Sequence, residues 1–278
     1  MRLRLLAIDL DGTLLDPYGD LTDAARDTVA SAQRAGLEVV VCTGRRFRTA
    51  LPLVKELRIG GMVVVNNGAV VKDVATGRTV ASAYLSAALY PAALELIGDH
   101  GSPLVYVDAY EQDTDILVQR DAPTHPFQLE YLGDHGAYAC EVENLGATIR
   151  GDVIMLSRMA DEATLLPLRE RVHAAFGKQL QTHLIHNKNY RGFILEIFSP
   201  DSGKWAALER LASEAGIAPE EIAAVGDDAN DAELLRQAGL GIAMGNAVDE
   251  AKDAADIVVR SNAEGGVVEA IEKVLLAR

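Results

Sequence analysis

The sequence predicts an α/β fold: a core built on a doubly wound parallel sheet, with an α+β domain inserted into it. Three observations predict it. Over residues 3–71, unbroken apolar runs of strand length alternate with segments of helical spacing. Strands that are apolar on both sides must be covered on both faces, as in a parallel sheet wound by helices. From about residue 80 the runs shorten and that alternation stops. After "SPDSGK", which ends at Lys204, strand and helix alternate again to the end of the sequence. The expected division is therefore a core over 1–82 and 191–278 and an inserted domain over 83–190.

The elements follow in order. Residues 3–8 form a buried strand. Residues 21–36 have helical spacing, with Leu21, Ala25, Val29 and Ala32 on one face, Thr22 as N-cap and Gly36 as stop. "LEVVVCTG" (37–44) is a second apolar strand ending at Thr43 and Gly44. "RRFRTALPLVKELRI" is a helix interrupted near Pro52. "GMVVVNNGAVV" (61–71) gives a third strand, closed by Asn66, Asn67 and Gly68. In the insertion, "PLVYVD" and "DILVQ" form a hairpin, "DVIMLSRM", "LQTHLIH" and "FILEIF" are strands, and a helix spans 161–176. "KWAALERLASEAG" (204–216) is an amphipathic helix, and "IAAVGDDANDAELLRQAG" reads as strand, acidic loop and helix. "LGIAMGNA" is a strand and turn, followed by a helix at 247–254, the strand "ADIVVRSN" and a helix from Gly265 to Leu276.

The 278 residues allow one large or two modest domains, and 49% hydrophobic content fills them. With 26 basic against 41 acidic residues the net charge is −15, which argues against nucleic-acid or anionic-membrane binding. A small anionic substrate remains compatible, because a cation or a helix N-terminus reverses the field locally. Two cysteines, Cys42 and Cys140, make no disulfide framework. The apolar run Leu5–Ile8 is too short for a signal-peptide core. No run approaches the ~18 apolar residues of a membrane span, and a cytoplasmic protein is expected.

In an α/β sheet chemistry collects at the carboxyl ends of the strands. Asp9 and Asp11, Thr43, Asn67, and Asp227 with Asp228 and Asp231 all fall at such ends, and Lys204 opens a helix between them. Carboxylates gathered in this way repel and need a balancing cation. Oxygen-only donors favour Mg²⁺ over Zn²⁺. A carboxylate beside Mg²⁺ can attack phosphorus. A second carboxyl can protonate the leaving oxygen and later deprotonate water. A hydroxyl, backbone N–H groups and a lysine can hold the phosphoryl oxygens.

These segments carry a resemblance. "DLDGTLLD" resembles the first motif, D-x-D-G-T, of the haloacid-dehalogenase-like (HAD) superfamily. "VVVCTGR" resembles its second motif, Lys204 in "DSGKWAAL" its third and "GDDANDAELL" its fourth, G-D-x-x-N-D. "NNGAVV", "AMGNA" and "ADIVVRSNAEGGV" are similar to patterns of the Cof-type branch, whose α/β cap lies between the second and third motifs. The resemblance implies a Rossmann-like core, a C2-type cap and a Mg²⁺-dependent phosphatase acting on a small phosphomonoester, such as a sugar phosphate or a phosphorylated cofactor. It implies Asp9 as nucleophile and Asp11 as general acid and base. Asp9, the backbone carbonyl of Asp11, and Asp227 would ligate Mg²⁺, with Asp231 holding metal-bound water or Lys204. Thr43, Gly44, Arg45, Asn67, Lys204 and Asn230 would bind the phosphate and substrate. The family usually has Lys-Gly at the third motif; here Trp205 follows Lys204 and Gly203 precedes it.

Other readings compete. Asp9-x-Asp11-Gly12 on its own is also a turn sequence. It opens like an EF-hand loop, but no Glu closes that loop. "GLGIAMG" lacks the G-x-G-x-x-G spacing of a dinucleotide loop. Asp228 reads as a solvated neighbour of Asp227, and Asn67 as either a turn former or a cleft residue. The histidines (His100, His125, His135, His173, His183 and His186) read as surface or hydrogen-bonded imidazoles rather than metal ligands. "HNKNYRG" (186–192) is a polar loop or a contact for the leaving group. The alternative functions are a phosphomutase of the same architecture and a phospho-accepting signalling receiver.

Overall fold

The computed structural model describes residues 3–98, 101–148, 150–186 and 191–276, with residues 134 and 135 described by backbone alone. His100, the side chain of His135 and residues 187–190 of the polar loop thus lie outside the described residues. In chain order the elements begin β1 (Leu5–Ile8), α1 (Asp23–Arg34), β2 (Glu38–Val41), α2 (Phe47–Glu56), β3 (Met62–Val65), β4 (Val70–Asp73) and β5 (Thr79–Ser82). Then come α3 (Tyr90–Gly98), β6 (Leu104–Ala109), β7 (Thr114–Gln119), α4 (Pro126–His135), β8 (Ala139–Val142), β9 (Val153–Ala160), α5 (Glu162–Phe176), β10 (Gln181–His186) and β11 (Phe193–Phe198). The chain finishes with α6 (Lys204–Glu214), β12 (Ile222–Gly226), α7 (Ala232–Gln237), β13 (Leu240–Ala243), α8 (Asp249–Ala254), β14 (Ile257–Val258) and α9 (Gly266–Leu276). The chain divides into two compact units, Met1–Ser82 with Gly203–Arg278, and Ala83–Ser202.

In the first unit a five-stranded sheet has the order β14-β13-β12-β1-β2, and every pairing is parallel. A parallel bridge from Cys42 to Val64 sets β3 beside β2. β1 is central, and Leu5, Leu6, Ala7 and Ile8 are all buried. Alternation sends Leu5 and Ala7 into a core with Trp205, Leu208, Leu234 and Leu235, and Leu6 and Ile8 to the other face. Thr22 caps α1 by accepting the Ala25 N–H (3.2 Å), and Gly36 ends the turn beyond it at φ 84°.

Two expectations change. The helix α2 is not interrupted at Pro52 but runs through it. Proline there removes one helical donor, and the buried Phe47, Ala50 and Val54 keep the helix docked. Residues 61–71 are not one strand: Asn66–Gly68 turns the chain, and β4 runs back antiparallel to β3.

The second unit is a six-stranded sheet of order β10-β11-β9-β6-β7-β8, antiparallel except for β7 with β8. Tyr90, Leu94 and Ile97 of α3 and Leu165, Leu168 and Val172 of α5 share a core with Val105, Leu156 and Leu195. The expected boundary at 190/191 moves to 202/203. The cause is β11, which pairs along its length with β9 and β10 (Leu195 opposite Arg158 and Leu184) and so belongs to this sheet.

Candidate active site

The site lies wholly in the first unit, at the carboxyl ends of β1, β2, β3 and β12. Asp9 extends the β1 ladder by one residue, its N–H donating to the Val225 carbonyl (3.0 Å). The chain then turns, closed by the Leu15 N–H on the Leu10 carbonyl (2.9 Å). Gly12 takes φ 82° in that turn, and a methyl group there would fall 2.1 Å from Asp227 Oδ2. Only glycine fits both the conformation and the space.

Beyond β2 the Thr43 side chain is buried, and its Oγ1 accepts the Arg45 N–H (3.1 Å). The loops after β2 and β3 are knit by backbone bonds, from the Asn67 N–H to the Thr43 carbonyl (3.1 Å) and from the Asn66 N–H to the Arg45 carbonyl (2.9 Å). Asn67 fits its reading as a turn former. It sits left-handed at φ 54°, and its Oδ1 accepts from Asn230 Nδ2 (2.8 Å). A methyl group at Gly44 would come within 2.8 Å of the same Oδ1.

Lys204 is the first residue of α6, preceded by Gly203 in extended conformation. Trp205, where the family usually has glycine, is buried in the core with Leu208 and Leu234. The lysine therefore keeps its place: its Nζ donates to Asp9 Oδ1 (2.8 Å) and Asp231 Oδ1 (2.6 Å), with Asn230 Oδ1 at 3.4 Å. Asp231 Oδ2 accepts the N–H groups of Asp227 (3.0 Å) and Asp228 (3.1 Å), which folds the acidic loop around it. Asp228 turns away to cap the Ala229 N–H (2.7 Å).

Two residues that hold this arrangement carry no role in the sequence reading. Thr13 Oγ1 donates to Asp227 Oδ1 (2.7 Å), and Asn246 Nδ2 approaches Asp227 Oδ2 (3.4 Å). Both lie inside quoted motifs, "DLDGTLLD" and "AMGNA", but neither is an ionisable group that draws attention to itself.

The carboxyls of Asp9, Asp227 and Asp231 converge, with oxygens within 4.8 Å of one another and all three residues buried. One ammonium serves three carboxylates. Burial pushes the Lys204 ammonium down, but Asp231 and Asp9 raise it further, so the lysine stays charged. Burial lifts Asp9 well above the ordinary carboxyl range, with Lys204 opposing it and Asp231 and Asp227 adding to it. Burial likewise pushes Asp227 up to about 7. Such a cluster takes up protons or a cation. Its donors are hard oxygens, and the adjacent Cys42 thiol is pushed up by burial and stays protonated. The donor set fits Mg²⁺ and does not suit Zn²⁺.

The carboxylate of Asp11 is outside the cluster. Both its oxygens meet Arg45, at 2.7 Å from Nε and 2.6 Å from the terminal nitrogen, and its side chain is 56% exposed.

Among the described residues no helix is long and apolar enough to cross a membrane. Comparison with known proteins agrees with the geometry. The haloacid dehalogenase-like hydrolase family profile matches residues 6–271. The chain is 29% identical to the 5-amino-6-(5-phospho-D-ribitylamino)uracil phosphatase YwtE of Bacillus subtilis, over 98% of both chains. It is 28% identical to phosphatase YwpJ of the same organism, over 98% of this chain and 100% of that one. A haloacid dehalogenase-like hydrolase from Bacteroides thetaiotaomicron superposes with a TM-score of 0.81 at 26% identity, covering 98% of this chain and all of that one. The chain belongs to the haloacid dehalogenase-like hydrolases, in their Cof-type branch, and is a phosphoric monoester hydrolase.

Proposed function

We propose that this protein is a Mg²⁺-dependent phosphatase that hydrolyses small phosphomonoesters, such as a sugar phosphate or a phosphorylated cofactor, through an aspartyl-phosphate on Asp9. The carrying observation is the Lys204 bridge between Asp9 and Asp231, with Asp227 alongside. It supports a nucleophile held in place by one ammonium, with carboxylate charge left over for a cation.

An Asp9 carboxylate oxygen forms a bond to phosphorus as the bond to the leaving alkoxide breaks, and Asp11 supplies the proton that makes the alkoxide an alcohol. In the second step Asp11 takes a proton from water, the hydroxyl oxygen attacks phosphorus, and the Asp9–phosphorus bond breaks to free phosphate and the carboxylate. Thr43, the Gly44 N–H, Lys204 and Asn230 hold the phosphoryl oxygens, where charge spreads in the transition state. Arg45 is paired with Asp11 at rest; a substrate phosphate drawn to the guanidinium would free the carboxyl to face the leaving group. Asp9, the Asp11 carbonyl and Asp227 would hold Mg²⁺, which when bound neutralises phosphoryl charge and orients the ester for in-line attack. Asp231 keeps Lys204 and the acidic loop in place.

Acid-quenched reaction with a phosphorus-labelled ester tests the scheme. Label should be trapped on the protein, be absent from Asp9→Asn, and appear as free phosphate with no isomerised ester. Label retained by Asp9→Asn would move the nucleophile elsewhere, and isomer formation would make the enzyme a mutase.

A further inference from the structure

The turn after β13 carries "AMGNA", a segment that the reaction scheme leaves without a task. Its backbone is tied to the end of β12, where the Met244 N–H donates to the Gly226 carbonyl (3.0 Å) and the Val248 N–H to the Asp227 carbonyl (2.9 Å). Its side chain goes further. Asn246 Oδ1 accepts the Asn262 N–H (2.8 Å). That contact fixes which end of the amide is oxygen, because a backbone N–H can only donate. Nδ2 is thereby turned toward two acceptors, the Gly12 carbonyl (2.8 Å) and Asp227 Oδ2 (3.4 Å).

These two acceptors lie on different acidic loops. Gly12 belongs to the turn carrying Asp9 and Asp11, and Asp227 ends β12. Thr13 from the first loop already holds Asp227 Oδ1 (2.7 Å). Asn246 meets the other oxygen, so the carboxylate plane is gripped from both sides. Asn246 thus bonds both loops from a third segment, as Lys204 does from α6 through Asp9 and Asp231, but it is Asn246 that reaches Asp227. The chemistry asks for asparagine at this point. An aspartate would keep the Asn262 contact but would set a third oxygen charge against a carbonyl and a carboxylate. A serine carries one proton for two acceptors.

We propose that Asn246 is a positioning residue for the cation site: it sets the orientation of the Asp227 carboxylate and its register against the Asp9–Thr13 turn. This rests on the proposed Mg²⁺ dependence. Groups that orient a metal ligand are worth on the order of tenfold to a hundredfold in metal affinity. Asn246 is itself exposed, so its bonds add little to folding, and its removal should report on the site rather than on stability.

The test measures Mg²⁺ binding directly, by titration calorimetry of the substrate-free protein, for wild type, Asn246→Ala and Asn262→Ala. The last removes only the Asn262 Nδ2 bond to the Leu15 carbonyl (2.9 Å) and leaves its backbone N–H on Asn246. Asn246→Ala should bind Mg²⁺ at least about tenfold more weakly, melt at the wild-type temperature, and regain turnover as Mg²⁺ is raised. Asn262→Ala should bind Mg²⁺ as wild type does. Undiminished Mg²⁺ affinity in Asn246→Ala would overturn the proposal and leave the phosphatase reading standing, and so would an equal loss in both variants, which would implicate the segment rather than the amide. Absence of Mg²⁺ binding by wild type would overturn both together.

Discussion

Lys204 Nζ stands 2.8 Å from Asp9 Oδ1, and the two side chains are 1% and 6% exposed. An ion pair so enclosed is costly to break one-sidedly, because the partner's charge stays buried. Lys204→Met should therefore lower unfolding stability by about 3–5 kcal/mol near neutral pH. The loss should shrink in acid, where Asp9 takes up a proton. Turnover should fall by at least about a hundredfold. Urea melts with and without acid check the first effect, and a pH-independent loss would mean that packing rather than charge is at stake.

Metal-free stability should depend on pH through Asp227. Its folded-state carboxyl is pushed up to about 7 from an ordinary 3.8, mainly by burial. Below 3.8 both folded and unfolded chains hold this proton; between 3.8 and about 7 only the folded chain does. The group's stabilising contribution is thus complete in acid and is lost as pH rises through about 7. Mg²⁺ competes with that proton. Added Mg²⁺ should raise the melting temperature more above neutral pH than below it. An equal rise at both would show that the cation does not displace this proton.

The fork of Arg45 on both Asp11 oxygens holds the proposed acid away from the cluster. Arg45→Gln should raise KM for p-nitrophenyl phosphate by about tenfold, the loss of one charge-assisted contact. Initial rates of p-nitrophenolate release across substrate concentrations read KM, and an unchanged KM would deny Arg45 a substrate contact.

Gly68 has φ 85°, and a methyl group on it would sit 2.0 Å from the Gly203 carbonyl, one residue before Lys204. Gly68→Ala should cost at least about 1–2 kcal/mol from the left-handed conformation alone. It should lower kcat as well, since relief of the clash moves the start of α6. A kcat at the wild-type level in the folded variant would show that Lys204 tolerates this shift.

Much of the core was legible because its signals are local. The Val and Ile runs marked β1, β2 and β3, and Thr22 with Gly36 marked both ends of α1. β5 was illegible: Thr79–Ser82 is four residues with partial exposure, defined by pairing to β4 rather than by pattern. α4 escaped because "PFQLEYLGDH" lacks a continuous apolar stripe, although Pro126 opens its first turn and the His125 ring accepts the Phe127 N–H (3.3 Å). The 190/191 boundary, which cut "FILEIF" off from the insertion strands it was read with, failed for a related reason, since an apolar strand does not declare which sheet it joins. Ionisable site residues stood out at strand ends, and the structure brings Asp9, Asp227, Asp231 and Lys204 into contact. Thr13 and Asn246 did not stand out, because a neutral side chain shows its task only once the carboxylate it steers is in place.

The central position of β1 has a consequence for synthesis. Its two neighbours are β2 and β12, so Leu5 is flanked by Glu38 and by Ile222. A chain emerging from the ribosome can cover one edge of β1 early, but the other stays open until more than two hundred residues have followed. The unit Ala83–Ser202 is contiguous and is finished before then. The nascent protein thus carries a completed passenger domain while an apolar strand edge waits, and this interval is its time of greatest need for a chaperone.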